Sequence, residues 1–133
     1  MSKSPVTVTE DLPLEEAARM MADRGIGGLP IMRGSSLVGI ITESDLFRVF
    51  IELFGARQKG IRVSLTVSNV KGALAKVSGA VTNAGGNILA LGTFLGEDSS
   101  QGRVTLKVDG MSRDALVGAL TPMVKSIDDV REV

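Results

Sequence analysis

The chain has no cysteine, histidine, tryptophan or tyrosine among its 133 residues. Without cysteine there is no disulfide and no thiol nucleophile. Without cysteine and histidine together, zinc sites of the usual nitrogen and sulfur kind and imidazole acid–base catalysis are excluded as well. No metal site and no resident cofactor are therefore expected. An enzyme is not expected either, because no nucleophile and base stand together with a mechanism attached. A surplus of one charge is also lacking: Lys plus Arg and Asp plus Glu each number 15. No net field therefore draws the chain to nucleic acid or to an anionic membrane. Aromatic residues make up 3%, which leaves no stacking platform for bases. No apolar run approaches the roughly 18 residues of a membrane-spanning helix, and no signal-peptide pattern opens the chain. A soluble, cytoplasmic protein is the expectation.

What the chain does have is a 44% hydrophobic composition, enough for one ordinary domain or two small ones. The pattern of elements favours two. Val6-Thr7-Val8 reads as a short strand. Pro13 at a first helical turn, followed by Glu15 and Glu16, announces a helix whose acidic start suits its dipole. Leu14, Ala17, Ala18 and Met21 form the apolar stripe of that helix, and Gly25 stands where a C-terminal glycine cap belongs. Leu29-Pro30-Ile31-Met32, a turn through Gly34-Ser35-Ser36, and the run over 37–42 read as a hairpin. The second strand of this hairpin is so continuously apolar that burial is expected. In the helix that follows, over 46–54, only Arg48 and Glu52 are polar. Such a helix needs neighbours on more than one side, so it is either a self-association surface or a single buried core helix.

The polar, glycine-bounded stretch that ends at Gly60 is the natural linker. It assigns 1–55 to a first unit, 56–60 to the linker and 61–133 to a second unit. There the periodicity changes. Ile61-Arg62-Val63-Ser64-Leu65-Thr66-Val67 alternates, as does Val104-Thr105-Leu106-Lys107-Val108, which predicts antiparallel strands with one wet face. A helix over 72–84 with Leu74, Val77 and Val81 as its stripe and Gly85 as its stop lies between them. A second helix over 113–123 and a strand near 127–133 complete an α+β unit of ferredoxin-like order, strand, helix, strand, strand, helix, strand.

The most chemically suggestive stretch is Thr42-Glu43-Ser44-Asp45 at the end of the apolar strand. A helix starting there would aim free N–H groups and its positive dipole end at a phosphate, with Asp45 available to ribose hydroxyls. The same Thr-x-x-acid spacing is also the capping box that starts ordinary helices. Both readings are open on local sequence.

With these pieces in place, residues 4–54 resemble one CBS motif. The resemblance rests on Ser4-Pro5-Val6-Thr7-Val8, the helix over 14–24, Gly28-Leu29-Pro30-Ile31, and Leu37-Val38-Gly39-Ile40-Ile41-Thr42-Glu43-Ser44-Asp45-Leu46. Residues 61–133 resemble an ACT domain through Asn69-Val70-Lys71-Gly72-Ala73-Leu74 and Gly85-Gly86-Asn87-Ile88. In this order the pair is similar to the CBS–ACT proteins of the acetoin-utilisation type. The CBS resemblance implies an adenosyl ligand, that is AMP, ADP, ATP or S-adenosylmethionine. Thr42 would meet phosphate, Asp45 ribose, and Val6, Thr7, Ile26, Gly27 and Gly28 would frame the adenine. Only Arg33, Arg48 and Arg57 are cations near in sequence, which suits a monophosphate or adenosine-like ligand better than a tightly held triphosphate. The ACT resemblance implies an amino acid held between dimer mates by Asn69, Gly72 and Asn87. The alternative for the two asparagines is a helix cap and a tight turn. Lys71 departs from the proline common at that position of the family.

CBS motifs normally occur in tandem, whereas one is present here, and Met1-Ser2-Lys3-Ser4-Pro5 resembles the interior of the family's opening segment. The expectation is a chain truncated upstream, whose unpartnered apolar helix recruits a second copy into a homodimer or higher homo-oligomer. The functional expectation is a regulatory ligand sensor. The alternative is a structural oligomerisation module with no small-molecule ligand.

Overall fold

The computed structural model describes residues 6–133. The expectation drawn from Met1 to Pro5 lies outside the described residues. The chain forms two compact units, divided between Phe50 and Ile51.

The first unit contains β1 (Val8–Thr9), α1 (Leu14–Arg24), β2 (Gly28–Arg33), β3 (Ser36–Thr42) and most of α2 (Glu43–Leu53). The sheet order is β1-β2-β3, with β1 parallel and β3 antiparallel to β2. Pro13 occupies the position before α1, and Gly25 closes that helix at φ 63°, its N–H donating to the Ala22 carbonyl. This left-handed cap is one of the places where the backbone asks for glycine. Val8, Ala17, Met21 and Leu29 make the core, with Ile31, Ile41 and Leu46 packed against them.

One expectation and one alternative reading fail here. The apolar strand over 37–42 is not buried: Leu37, Val38 and Ile40 are 66%, 43% and 58% exposed. It is the edge strand of a three-stranded sheet, and so small a unit has too few elements to cover it. Helix α2 is likewise not a buried core helix, since none of its residues is buried.

The second unit continues from the last residues of α2 into β4 (Ile61–Ser68), α3 (Ala73–Asn83), β5 (Asn87–Leu95), β6 (Gln101–Asp109), α4 (Arg113–Leu120) and β7 (Ser126–Glu132). Its sheet order is β5-β6-β4-β7, antiparallel throughout, as a ferredoxin-like fold requires. One face of β4 and β6, with Val63, Leu65, Leu106 and Val108, packs against Val77 and Val81 of α3 and Leu116 and Leu120 of α4. Leu74 departs from the predicted stripe and stands 41% exposed, while Ala73 and Ala80 pack on the core instead. The second helix ends earlier than predicted, because Pro122 sits in a short 3-10 turn after Leu120.

The larger correction concerns the face expected to be wet. On β6, Thr105 and Lys107 are only 8% and 4% exposed. Lys107 Nζ donates to the Gly55 carbonyl at 2.7 Å, and Thr105 Oγ1 lies 3.2 Å from Ser64 Oγ. The glycine-bounded stretch is thus tied to the sheet. Gly55, at φ 61°, turns the chain at the end of α2, its N–H donating to the Glu52 carbonyl at 3.1 Å. Gly60 exchanges backbone hydrogen bonds with Val133 at 3.1 and 2.9 Å.

Truncating Leu65, which is fully buried, to alanine is expected to cost about 2–5 kcal/mol of unfolding free energy. Leu37→Ala on the exposed edge should stay within about 0.5 kcal/mol of the parent. Urea denaturation of the two variants checks the contrast, and equal losses would contradict the burial assigned to each strand.

Candidate functional site

Strand β3 ends at Thr42, which stands opposite Gly28 of β2, and α2 starts at the next residue. The Thr42 N–H donates to Asp45 Oδ2 at 2.8 Å and the Thr42 hydroxyl donates to the same oxygen at 3.0 Å. In return the Asp45 N–H donates to Thr42 Oγ1 at 3.4 Å. This is the reciprocal capping box. Asp45 Oδ1 accepts from Arg48 at 3.2 Å. The backbone N–H of Thr42 foremost, then its hydroxyl, and more weakly Arg48, hold the Asp45 carboxyl below its ordinary range. A carboxylate offers about four lone-pair positions, so Oδ1 keeps capacity to accept from a ligand hydroxyl.

The residues implied to frame an adenine are placed as follows. Ile26, Gly27 and Gly28 join α1 to β2. The Ile26 N–H is spent on the Met21 carbonyl at 3.0 Å, and the Gly27 carbonyl accepts from the Glu43 N–H at 3.2 Å. A Cβ on Gly28 would lie 3.3 Å from both the Ile40 side chain and the Ile41 carbonyl, so close packing of the hairpin is one reason for glycine there. Since β1 runs parallel to β2 with Val8 beside Ile31, Val6 and Thr7 continue back toward the Gly28 end of the sheet. The described structure therefore gathers these residues at the end of the sheet where Thr42 stands. A hollow of about 390 Å³ is lined by Ile26, Met21, Glu43, Leu46 and Phe47, among others, but not by Thr42 or Asp45. Of the cations considered for phosphate, Arg33 is paired with Glu10 at 2.6 Å and Arg48 with Asp45 at 3.2 Å.

The second unit holds a larger hollow, about 620 Å³, where β4 meets α3. Asn69 and Gly72 line it, with Val70, Leu74, Phe94 and Arg103. Asn69 is not the helix cap. Its N–H donates to the Ser100 carbonyl at 2.9 Å and its Nδ2 to the Ser99 carbonyl at 3.0 Å, so it ties the β5–β6 loop to the end of β4. The cap position belongs to Gly72, at φ 85°, with no side chain bonded to the helix start. The N–H groups of Leu74 and Ala75 in that first turn have no acceptor among the described residues, and both residues line the hollow. Asn87 is elsewhere. It pairs with Asp109 at the far end of β5, whereas Phe94 and Leu95, opposite Arg103 and Gly102, border the hollow. Sequence reasoning missed Phe94 and Arg103, because their proximity depends on strand register. The only local signal was a charged residue opening the apolar run of β6.

Among the described residues no group of three or more acidic, cysteine or histidine side chains could hold a metal ion, and no helix is long and apolar enough to cross a membrane. A family model described as CBS domain matches residues 1–52, and one described as AHAS small subunit-like ACT domain matches residues 63–132. An uncharacterized protein of Methanocaldococcus jannaschii is 45% identical over 48 residues, 36% of this chain and 25% of that protein. A CBS domain-containing protein of Dictyostelium discoideum is 37% identical over 54 residues, 40% and 37% of the two chains. The inosine-5'-monophosphate dehydrogenase of Korarchaeum cryptofilum is 45% identical over 42 residues, 32% of this chain and 9% of the enzyme. The chain thus spans between 9% and 37% of the length of these relatives.

Because the folded state holds the Asp45 carboxyl below its unfolded value, the cap's stabilisation is complete above the ordinary carboxylate range. It is lost as pH falls through the lowered value. Melting of the parent should therefore fall more steeply than that of Asp45→Asn below roughly pH 5. Parallel melting curves for the two proteins would show that the carboxylate does not stabilise the helix start.

Proposed function

Since the chain belongs to the family of AHAS small subunit-like ACT domains and carries a CBS domain ahead of that fold, we propose that it is a sensor of small ligands. CBS and ACT domains are regulatory, non-catalytic modules. In this reading the ACT unit takes a free amino acid and the CBS unit an adenosyl ligand, and occupancy alters an assembly that a partner reads. The observation that carries it is the uncapped start of α3 opening on the 620 Å³ hollow. Free N–H donors at a helix start suit a carboxylate. Val70, Leu74 and Leu95 around them suit an apolar side chain. Asn69 has its amide oxygen available, while Asn87, at the far end of β5, would enter the site from a second copy.

For the adenosyl ligand the support is the Thr42–Asp45 box with Gly28 opposite, joined by Val6, Thr7, Ile26 and Gly27. One matching relative, by its name, acts on the purine nucleotide inosine monophosphate. We take AMP, ADP, ATP and S-adenosylmethionine as the candidates, and the acetoin-utilisation type as the setting that the domain order favours. The exposed apolar side chains Leu37, Ile40 and Phe47 favour a homodimer or larger homo-oligomer. They also keep open a second reading, an association module with no ligand.

A thermal-shift panel of the four adenosyl compounds and the free amino acids tests this. A ligand at 100 times its dissociation constant adds about 2.7 kcal/mol of stability. Asp45→Ala should abolish the adenosyl response and leave the amino-acid response, and Asn69→Ala the reverse. No response to any compound, with a dimer or larger mass by light scattering, would leave the association module standing in place of the sensor.

A further inference from the structure

One wall of the amino-acid hollow is fastened by residues that arrive from the end of α2. Phe94 is 49% exposed on β5, the edge strand of its sheet. Phe54 stacks on it, with ring centroids 5.8 Å apart and planes 16° from parallel. The Phe54 ring fits at Gly92: a Cβ there would lie 2.5 Å from the ring's Cζ, a distance no side chain tolerates. Beside it, the Gly55 carbonyl accepts from Lys107 Nζ at 2.7 Å and from the Gln58 N–H at 3.0 Å, so the turn after α2 is held from the sheet as well as from its own backbone. A Cβ on Gly55 would touch Ala90 and the Lys107 stem at 3.6 Å. The register sets Gly92 beside Thr105 and Ala90 beside Lys107, so consecutive residues of the segment are gripped by two adjacent strands.

We infer that Phe54 and Gly55, docked on Gly92 and Lys107, are positioning residues for the amino-acid hollow: they hold the Phe94 wall and thereby set how tightly the site binds. This rests on the amino-acid reading given above. Phe54 does not line the hollow and acts through Phe94.

The test is calorimetric titration of the full chain with L-valine, L-leucine and L-phenylalanine. Phe54→Ala should weaken binding about tenfold, and Phe54→Leu, which keeps apolar bulk at Gly92, should recover most of it. Gly92→Ala should weaken binding by itself, since its methyl must displace the ring. In the Phe54→Ala background the same change should add little, because the clash is gone, and this non-additivity is a signature that a general loss of stability does not produce. Arg19→Ala, which removes only exposed ion pairs to Glu16 and Asp23 on α1, should leave affinity unchanged. Binding equal to the parent in both Phe54→Ala and Gly92→Ala, or additive losses in the double variant, overturns the clamp while the amino-acid reading stands. A parent chain that binds none of the three overturns that reading and the clamp's role with it.

Discussion

A buried amino group must find an acceptor, and the Lys107 side chain finds one in the Gly55 carbonyl. Much of the second unit's outer surface follows from that requirement. The segment after α2 has to lie against β6 for the bond to form, which puts Phe54 against β5 at Gly92, the register neighbour of Thr105. The boundary between compact units then falls within α2, ahead of the glycines. No buried side-chain nitrogen or oxygen among the described residues lacks a partner, so this polar patch beneath the segment is satisfied rather than strained.

The parts of the fold legible in the sequence are those governed by local rules. Pro13 and Gly25 bracket α1 because proline is pre-set for a helix start and glycine for a left-handed stop. The alternation of β4 survives intact in its burial pattern. The alternation of β6 is just as regular in sequence but misleads, because what covers Thr105 and Lys107 comes from residues far away in the chain. The exposure of β3 misleads in the opposite sense: a continuous apolar run implies a partner on each face, and the described residues of this unit leave Leu37 and Ile40 largely exposed. The site divides along the same line. The Thr42–Asp45 spacing contains its own geometry and was readable as a box. The acceptor of Asn69 is the Ser99 carbonyl, and the place of Phe94 depends on register with β6, neither of which has a local signature.

The two units reach stability differently. The second buries a layer of branched side chains between four strands and two helices. Among its described residues the first has four buried core residues, and it leaves large apolar side chains on β3 and α2 in water. The ion pairs on its surface, such as Arg19 with Glu16 and Asp23, are at least two-fifths exposed on every partner and add little. Covering that apolar edge would add stability to such a unit.

The capping box at the start of α2 is complete without any ligand, since each partner already answers the other. In energetic terms the groups are pre-organised. Folding has already met the entropy of fixing Thr42 and Asp45, so a molecule arriving there would not have to order them. Asp45 Oδ1, which accepts from Arg48 at 3.2 Å, would have a lone pair left for a hydroxyl donor. Discrimination at such a place depends on shape and solvent more than on bond count.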